Sequence, residues 1–465
     1  MNTNEGLRLS RFTHFYPLGE YTAVYNALNL SVLFLEKGVA DQIENNKVLQ
    51  VDAELQAAVE QMKGWRILVP FDYDEMSDYF QIRKSLENLS IGILYLLLTD
   101  ACNFACKYCF IEGAQAFQKK GLMTNEIARL GINTFVRALS DNPHPSKVVP
   151  QVIFYGGEPL INFDCLLFAL EYIKSLQQSQ TLPGNLTLTV NTNASLVTPK
   201  IAQALAEHKV RASISVDGTP EVHDSQRVFH SGKGTFKSTE KGLRLLQEFG
   251  VETSVSFTIT WNSLKHIEES LLWLVKELNV KSLGFNIHRD SEMFKVENSP
   301  IFAREVSDAL IRCFKLAREL GIYEDRMMRK IKAFVAGQLY LNDCGGCGQQ
   351  VVVSPNGELG VCHVLSPNGD YYIPYTPNLD TRTHPYWIEW RKRSPFSMNQ
   401  CADCIALGIC GGGCPQQALL KQGSIWGIDE VFCVHAKTTL DFLLKDLLEK
   451  TLTQEGKNVP TISKQ

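Results

Sequence analysis

Cys102, Cys106 and Cys109 fall within eight residues, directly after the apolar run Ile93–Thr99. Three thiols are odd for disulfides and one short of a closed tetrahedral metal shell. A C-x3-C-x2-C loop can give each thiolate its own iron of a cubane [4Fe–4S] cluster, which leaves the fourth iron open to a chelating ligand. Zinc completed by a ligand from elsewhere is the other chemistry this spacing allows, since zinc also favours thiolates.

The chain holds 13 cysteines, and their distribution is uneven. Eight more crowd the C-terminal third, at Cys344, Cys347, Cys362, Cys401, Cys404, Cys410, Cys414 and Cys433. Cys165 and Cys313 stand apart on apolar helical stripes and read as small core residues. No basic stretch followed by an apolar core opens the sequence and no apolar run is long enough to span a bilayer, so the expectation is a cytoplasmic protein whose thiols serve metals or redox chemistry. A net charge of −4 from 46 basic and 50 acidic residues gives no electrostatic footprint for nucleic acid or an anionic membrane.

These residues need a scaffold. From about residue 91 to 288, β-branched runs alternate with helical periodicity: strands are expected at Ile93–Thr99, Val149–Tyr155, Leu186–Ala194, Arg211–Asp217, Val251–Thr260 and Ser282–His288. Helix-period segments separate them, with Thr124 and Thr198-Pro199 as N-terminal caps. Repeated βα units predict an α/β fold with a parallel sheet, either an open partial barrel or a doubly wound sheet, and both put ligands at the C-terminal strand ends where the thiol loop lies. Residues 1–90 read as a small separate α+β module, with strands at Thr22–Leu28 and Ser31–Glu36 and a helix from Asp52 to Met62. Beyond about residue 335 the composition turns to Gly, Cys, Asn and Pro, which buries too little apolar surface to cohere without metal. A helix over Thr438–Lys450 and a disordered polar tail close the chain.

Other strand ends carry polar groups to the same rim. Phe154-Tyr155-Gly156-Gly157-Glu158-Pro159 ends the second strand: its glycines allow a close backbone approach to a ligand, and Glu158 can hold an ammonium. Asn191-Thr192-Asn193 ends the third. Ser215, Asp217 and Gly218, then His223, Asp224 and Arg227, follow the fourth, and an arginine there can pair a ligand carboxylate bidentately. The amino and carboxylate groups of S-adenosylmethionine would suit both such contacts and an open iron.

Over residues 90–290 the sequence resembles the radical S-adenosylmethionine (SAM) enzymes: Cys102, Cys106 and Cys109, with Tyr108 before the last, are similar to that family's cluster loop, and Gly156-Gly157-Glu158-Pro159 to its GGEP segment. The resemblance implies a partial (β/α)6 barrel over 91–335. It also implies S-adenosylmethionine contacts at Tyr108, Gly156, Gly157, Glu158, Asn191, Ser215 and Arg227. Residues 336–440 resemble the SPASM extension with two auxiliary [4Fe–4S] clusters, three clusters in all. By analogy one auxiliary cluster takes Cys344, Cys347, Cys362 and Cys414 and the other takes Cys401, Cys404, Cys410 and Cys433; a zinc ribbon on Cys344/Cys347 and Cys401/Cys404 would strand the remaining four. Residues 1–90 resemble, by element order alone, the winged-helix module with which some peptide maturases capture a leader segment. The implied activity is radical cross-linking, thioether or carbon–carbon, of a ribosomal precursor peptide, with electrons from a low-potential donor such as flavodoxin or ferredoxin. The alternatives are oxidation of a single residue in a protein, as sulfatase maturases do, and an iron–sulfur electron carrier. Sulfatase maturases have an acidic base after the cysteine corresponding to Cys362, where this chain has His363; His288, His363 and Tyr155 are candidates by location only.

Overall fold

The computed structural model describes residues 6–45, 53–88, 90–111, 121–142, 149–291, 295–297 and 299–454. It opens with β1 (Leu7–Leu9), followed by an antiparallel meander of β2 (Thr13–Leu18), β3 (Tyr21–Asn26) and β4 (Val32–Glu36). Helices Lys37–Glu44 and Ala53–Gly64, β5 (Leu68–Pro70), which pairs with β1, and helix Glu75–Ser85 complete the module. Sequence reading missed β1 and β2, and the expected helix start at Asp52 lies outside the described residues. Both faces of the meander are buried. Val24, Leu33 and Leu35 pack on the module's own helices, whereas Ala23, Tyr25, Val32 and Phe34 join a core with Phe334, Phe396, Leu407, Ile409 and Leu440 of the C-terminal region. The module is therefore docked rather than separate, because each face hides apolar side chains worth about 1.5–3 kcal/mol apiece.

The main sheet begins with β6 (Ile93–Thr99), β7 (Gln151–Gly156), β8 (Thr187–Thr192), β9 (Arg211–Ser215), β10 (Thr253–Ile259), β11 (Ser282–Ile287) and the short β12 (Tyr323–Glu324). All seven are parallel and lie side by side in sequence order. A doubly wound sheet would reverse that order at its centre, so the arrangement is the winding of a barrel. In β8 to β11 every second residue is fully buried, as Leu188, Val190, Ile214, Phe257 and Phe285 are, and packs in the core with the surrounding helices. The alternate positions are small and polar: Thr189, Asn191, Ser213, Ser215, Ser256 and Thr258. Helices start where their caps predict, with Thr124 Oγ1 accepting from the Ile127 amide and Thr198 from Ile201.

Beyond the barrel, β13 (Gln350–Val353) pairs parallel to β6, and β14 (Leu359–Gly360) and β15 (Tyr372–Ile373) extend the sheet antiparallel to ten strands. The sheet thus crosses the boundary expected near residue 335 and carries Cys362 and His363 to the edge of β6. The last helix runs over Glu430–Gln454, earlier than the expected Thr438, and so includes Cys433; it packs along helix Ser299–Glu319. The expected polar tail lies outside the described residues.

Candidate active site

The thiol loop is fastened at both ends. Next to β6, the Gly157 amide donates to the Thr99 carbonyl (2.8 Å) and the Glu158 amide to Ala101 (2.8 Å). Gly156 has φ +140°, and a Cβ on Gly157 would stand 2.3 Å from the Ala101 carbonyl oxygen. The glycine pair assigned from sequence to a ligand's approach therefore admits the loop's own backbone. At the other end the Ala105 amide donates to Val228 (2.7 Å), the Lys107 amide to Gln226 (2.9 Å) and Lys107 Nζ to the Ser225 carbonyl (2.6 Å). Cys102, Cys106 and Cys109 are half-buried and electrostatically coupled. Burial pushes the Cys106 thiol up to about 12 against the opposing pull of Arg227, and raises Cys102 as well. Metal-free thiols in this setting hold their protons, which a cationic iron group would displace.

Asp217, which sequence reading quoted but gave no role, organises the neighbouring strand ends. Its carboxylate, fully buried, accepts from Tyr108 Oη (2.6 Å), Gln226 Nε2 (2.6 Å), the Thr258 amide (2.9 Å), and Arg227 through Nε (2.8 Å) and Nη2 (3.1 Å). Burial alone would raise its pKa, but Arg227 and the donors hold it below the usual carboxylate range. Arg227, expected to receive a ligand carboxylate, is thus already forked onto Asp217; it lies over the Tyr108 ring (5.3 Å) and turns Nη1 toward Cys106 Sγ (4.0 Å). The only signal in the sequence was an acid after an apolar strand.

Glu158 is 1% exposed and accepts from Thr192 Oγ1 (2.7 Å), the Asn193 amide (2.8 Å) and the Leu160 amide (3.0 Å), while burial pushes it up to about 7. Three protein donors already occupy most of its acceptor capacity. Asn193 in turn donates to Asn103 Oδ1 (3.0 Å), so Glu158 fixes the loop through the end of β8. Asn191 and Ser215 lie half-buried on the polar rows of β8 and β9, with Ser213 and Ser256 as their register neighbours.

The β6–β7 side of the barrel is aromatic instead. His363 stacks on Tyr95 (4.7 Å) and meets Tyr155 (5.0 Å) and Phe110 (6.5 Å) edge-on. Burial lowers His363 to about 4, and among the described residues its Nδ1 has no partner. His288, after β11, meets Tyr108 edge-on (5.9 Å) and also leaves Nε2 unpartnered.

The eight C-terminal thiols divide into two electrostatically coupled groups. Cys344, Cys347, Cys362 and Cys414 interact with one another, as do Cys401, Cys404, Cys410 and Cys433. The second group lines a cavity with Pro395, Met398 and Leu407. Among the described residues, no three His, Cys, Asp or Glu converge closely enough to hold a single metal ion. Mutually coupled but separated thiols, four and four, fit clusters in which each sulfur takes its own iron. Buried cations stand beside both groups: Arg289 Nη1 lies 3.0 Å from Cys414 Sγ, and Lys330, 1% exposed, donates to the Cys410 carbonyl (2.8 Å). Neither cation was singled out from sequence.

Residues 96–274 match the family model described as the Radical SAM superfamily. The chain carries a radical SAM domain. Similar proteins include a cysteine-type anaerobic sulfatase-maturating enzyme of Clostridium perfringens, 24% identical over 77% of this chain and 97% of the relative. A radical SAM cyclopropyl synthase of Paramaledivibacter caminithermalis is 22% identical over 77% of this chain and 74% of that protein. Among solved structures, anSMEcpe with bound AdoMet superposes with a TM-score of 0.64 at 20% identity, covering 77% of this chain and 94% of that one. Streptococcus suis SuiB bound to S-adenosylmethionine gives 0.52 at 16% identity and covers 91% and 99%. At these identities the structural likeness speaks for the fold, and the latter extends it over nearly the whole chain. Among the described residues no helix is long and apolar enough to cross a membrane.

Proposed function

We propose that the chain is a radical SAM maturase that oxidatively cross-links a ribosomally made precursor peptide. The observation that supports this reading is the division of the clustered thiols into a coupled trio on the barrel loop and two further electrostatically coupled groups of four. Cys102, Cys106 and Cys109 would hold a [4Fe–4S] cluster with one free iron, and the quartets two further clusters. When bound, the first cluster and S-adenosylmethionine supply a 5′-deoxyadenosyl radical able to take hydrogen from unactivated carbon.

The chain's own residues do the rest. Asp217 locks Tyr108 and Arg227 in place, so that the loop and its cation need no reorganisation on ligand entry. Arg227 Nη1 remains as a donor directed toward the loop. The Tyr95, Tyr155, Phe110 and His363 wall covers the β6–β7 side and excludes water from the reacting carbon.

For the substrate, the supporting feature is the docked N-terminal meander. Among the described residues β4 pairs with β3 alone in its sheet, and unlike β2, which contains Pro17, it has an amide at every position; Val32–Leu35 are buried, so an added strand would first displace what covers them. A leader segment would pair there and deliver the core peptide to the barrel. A low-potential flavodoxin or ferredoxin would supply the electron. The names of the relatives, sulfatase-maturating enzymes among them, favour oxidation of a single protein residue as the second reading.

The test is anaerobic incubation of reconstituted protein with dithionite, S-adenosylmethionine and a precursor peptide encoded beside it, read by mass spectrometry. Loss of hydrogen mass confined to the core peptide, dependent on the leader, is expected. Release of 5′-deoxyadenosine with equal modification of leaderless substrate would move the reading to protein oxidation, and no release at all would leave an electron carrier.

A further inference from the structure

Among the described residues two arginines reach a thiol, and only one of them has its charge balanced at contact distance. Arg227, beside Cys106, is paired with the buried Asp217. Arg289, one residue beyond His288 at the end of β11, puts Nη1 3.0 Å from Cys414 Sγ. Among the described residues its acidic neighbours, Asp429 and Asp343, act on it without a salt-bridge contact. The guanidinium is seated rather than swinging: it lies over the Phe432 ring at 5.3 Å. The next residue is clasped to the helix that starts after Cys414. Gln417 Oε1 accepts from the Asp290 amide (3.1 Å) and Gln417 Nε2 donates to the Asp290 carbonyl (2.8 Å), while Lys421 pairs with the Asp290 carboxylate (3.2 Å).

We infer that Arg289 is a positioning residue that raises the reduction potential of a cluster held by Cys344, Cys347, Cys362 and Cys414. The inference rests on the proposed reading that this quartet binds a [4Fe–4S] cluster. Reduction adds one negative charge to the cluster, and a fixed cation donating to a ligand sulfur stabilises that state more than the oxidised one. Tyr155 and His363 are electrostatic neighbours of the same guanidinium, so the cation spans the barrel mouth and the quartet nearest to it. The barrel loop has no such lever, because Asp217 cancels the charge of Arg227. The quartet would therefore be the easier of the two groups to reduce, as suits an acceptor for an electron leaving the substrate.

The experiment is an EPR-monitored redox titration of anaerobically reconstituted full-length protein, parent against Arg289→Gln, Arg289→Lys and Phe432→Leu, with iron content measured on each. Arg289→Gln should shift one cluster midpoint to lower potential, with the lysine variant in between and Phe432→Leu shifted least. The signal that responds to added S-adenosylmethionine should stay in place. Unchanged midpoints in Arg289→Gln at about twelve irons per chain overturn the inference alone. About four irons per chain in the parent overturn it together with the three-cluster reading. Should Arg289→Gln fail to hold iron, an unshifted midpoint in Phe432→Leu overturns it.

Discussion

The barrel loop and the C-terminal quartets place the same atom, a cysteine sulfur, in different settings. The loop thiols are half-buried, three in number, and the loop is fastened by backbone hydrogen bonds to the end of β7 on one side and to Gln226 and Val228 on the other. Cys347, Cys362 and Cys414 are buried, whereas Cys344 and the other quartet, Cys401, Cys404, Cys410 and Cys433, are half-buried like the loop; on the proposed reading each quartet supplies four ligands and needs none from outside. Rigid but open suits a group that must accept a substrate; sealed and saturated suits one that only exchanges electrons. Two of the three flanking cations are neutralised, Arg227 at the loop by Asp217 and Lys330 beside Cys410 by Asp343, whereas Arg289 beside Cys414 is left uncompensated at contact distance.

The comparison breaks most directly at the thiols. Cys106→Ala should lower 5′-deoxyadenosine release by at least about 10³-fold. Cys414→Ala should retain most of that release yet yield no mature peptide. Equal losses in both would erase the distinction between open and sealed groups, and liquid chromatography of the quenched reaction measures each.

Next comes Asp217. Asp217→Asn removes the charge that balances a buried guanidinium, and should cost about 3–5 kcal/mol of stability in chemical denaturation together with weaker S-adenosylmethionine binding. A cost below about 1 kcal/mol would mean that Arg227 finds water or another partner.

Gly157→Ala sharpens the loop side. Its Cβ would collide with the Ala101 carbonyl, so the loop must part from β7, costing about 1–3 kcal/mol and reducing cluster occupancy by iron analysis, while the quartets fill normally.

The effect that is smallest near neutral pH is a pH dependence. His223, buried with Nδ1 accepting from the Asp217 amide, is pushed by burial down to about 3. Its folded pKa lies below the unfolded value of 6.5, so the stability it contributes is present above pH 6.5 and is lost as pH falls from there toward 3. The stability advantage of the parent over His223→Gln should shrink by up to about 1.4 kcal/mol per pH unit across that window, followed by thermal melts. A constant difference would place the imidazole in a charged form.

Much of this was legible in the sequence, for identifiable reasons. β6 and β7 are nearly continuous apolar runs, and β8 to β11 alternate buried apolar residues with small or polar ones, so β6 to β11 and their helices could be read within a few residues of their ends. The two groups of C-terminal thiols that interact electrostatically have the same members as the ligand sets implied by the family resemblance. What escaped was set by contacts distant along the chain. β13 sits among glycines and cysteines and becomes a strand only by pairing with β6. β2 is interrupted by Pro17 and pairs nonetheless, at the edge of its sheet. The apolar side chains of the meander alternate onto two cores, one of them built by residues beyond 310, so the module looked independent. Arg289 and Asp217 were visible as residues, but the partner that gives each its role was not.

The central claim is that one thiol group is open and the others are closed. EPR of the reduced, reconstituted protein with and without S-adenosylmethionine tests it most directly. One cluster signal should change on addition of the ligand and be absent from Cys106→Ala, while the remaining signals stay fixed. A spectrum in which no signal responds, or in which a quartet responds in place of the loop, would contradict the account.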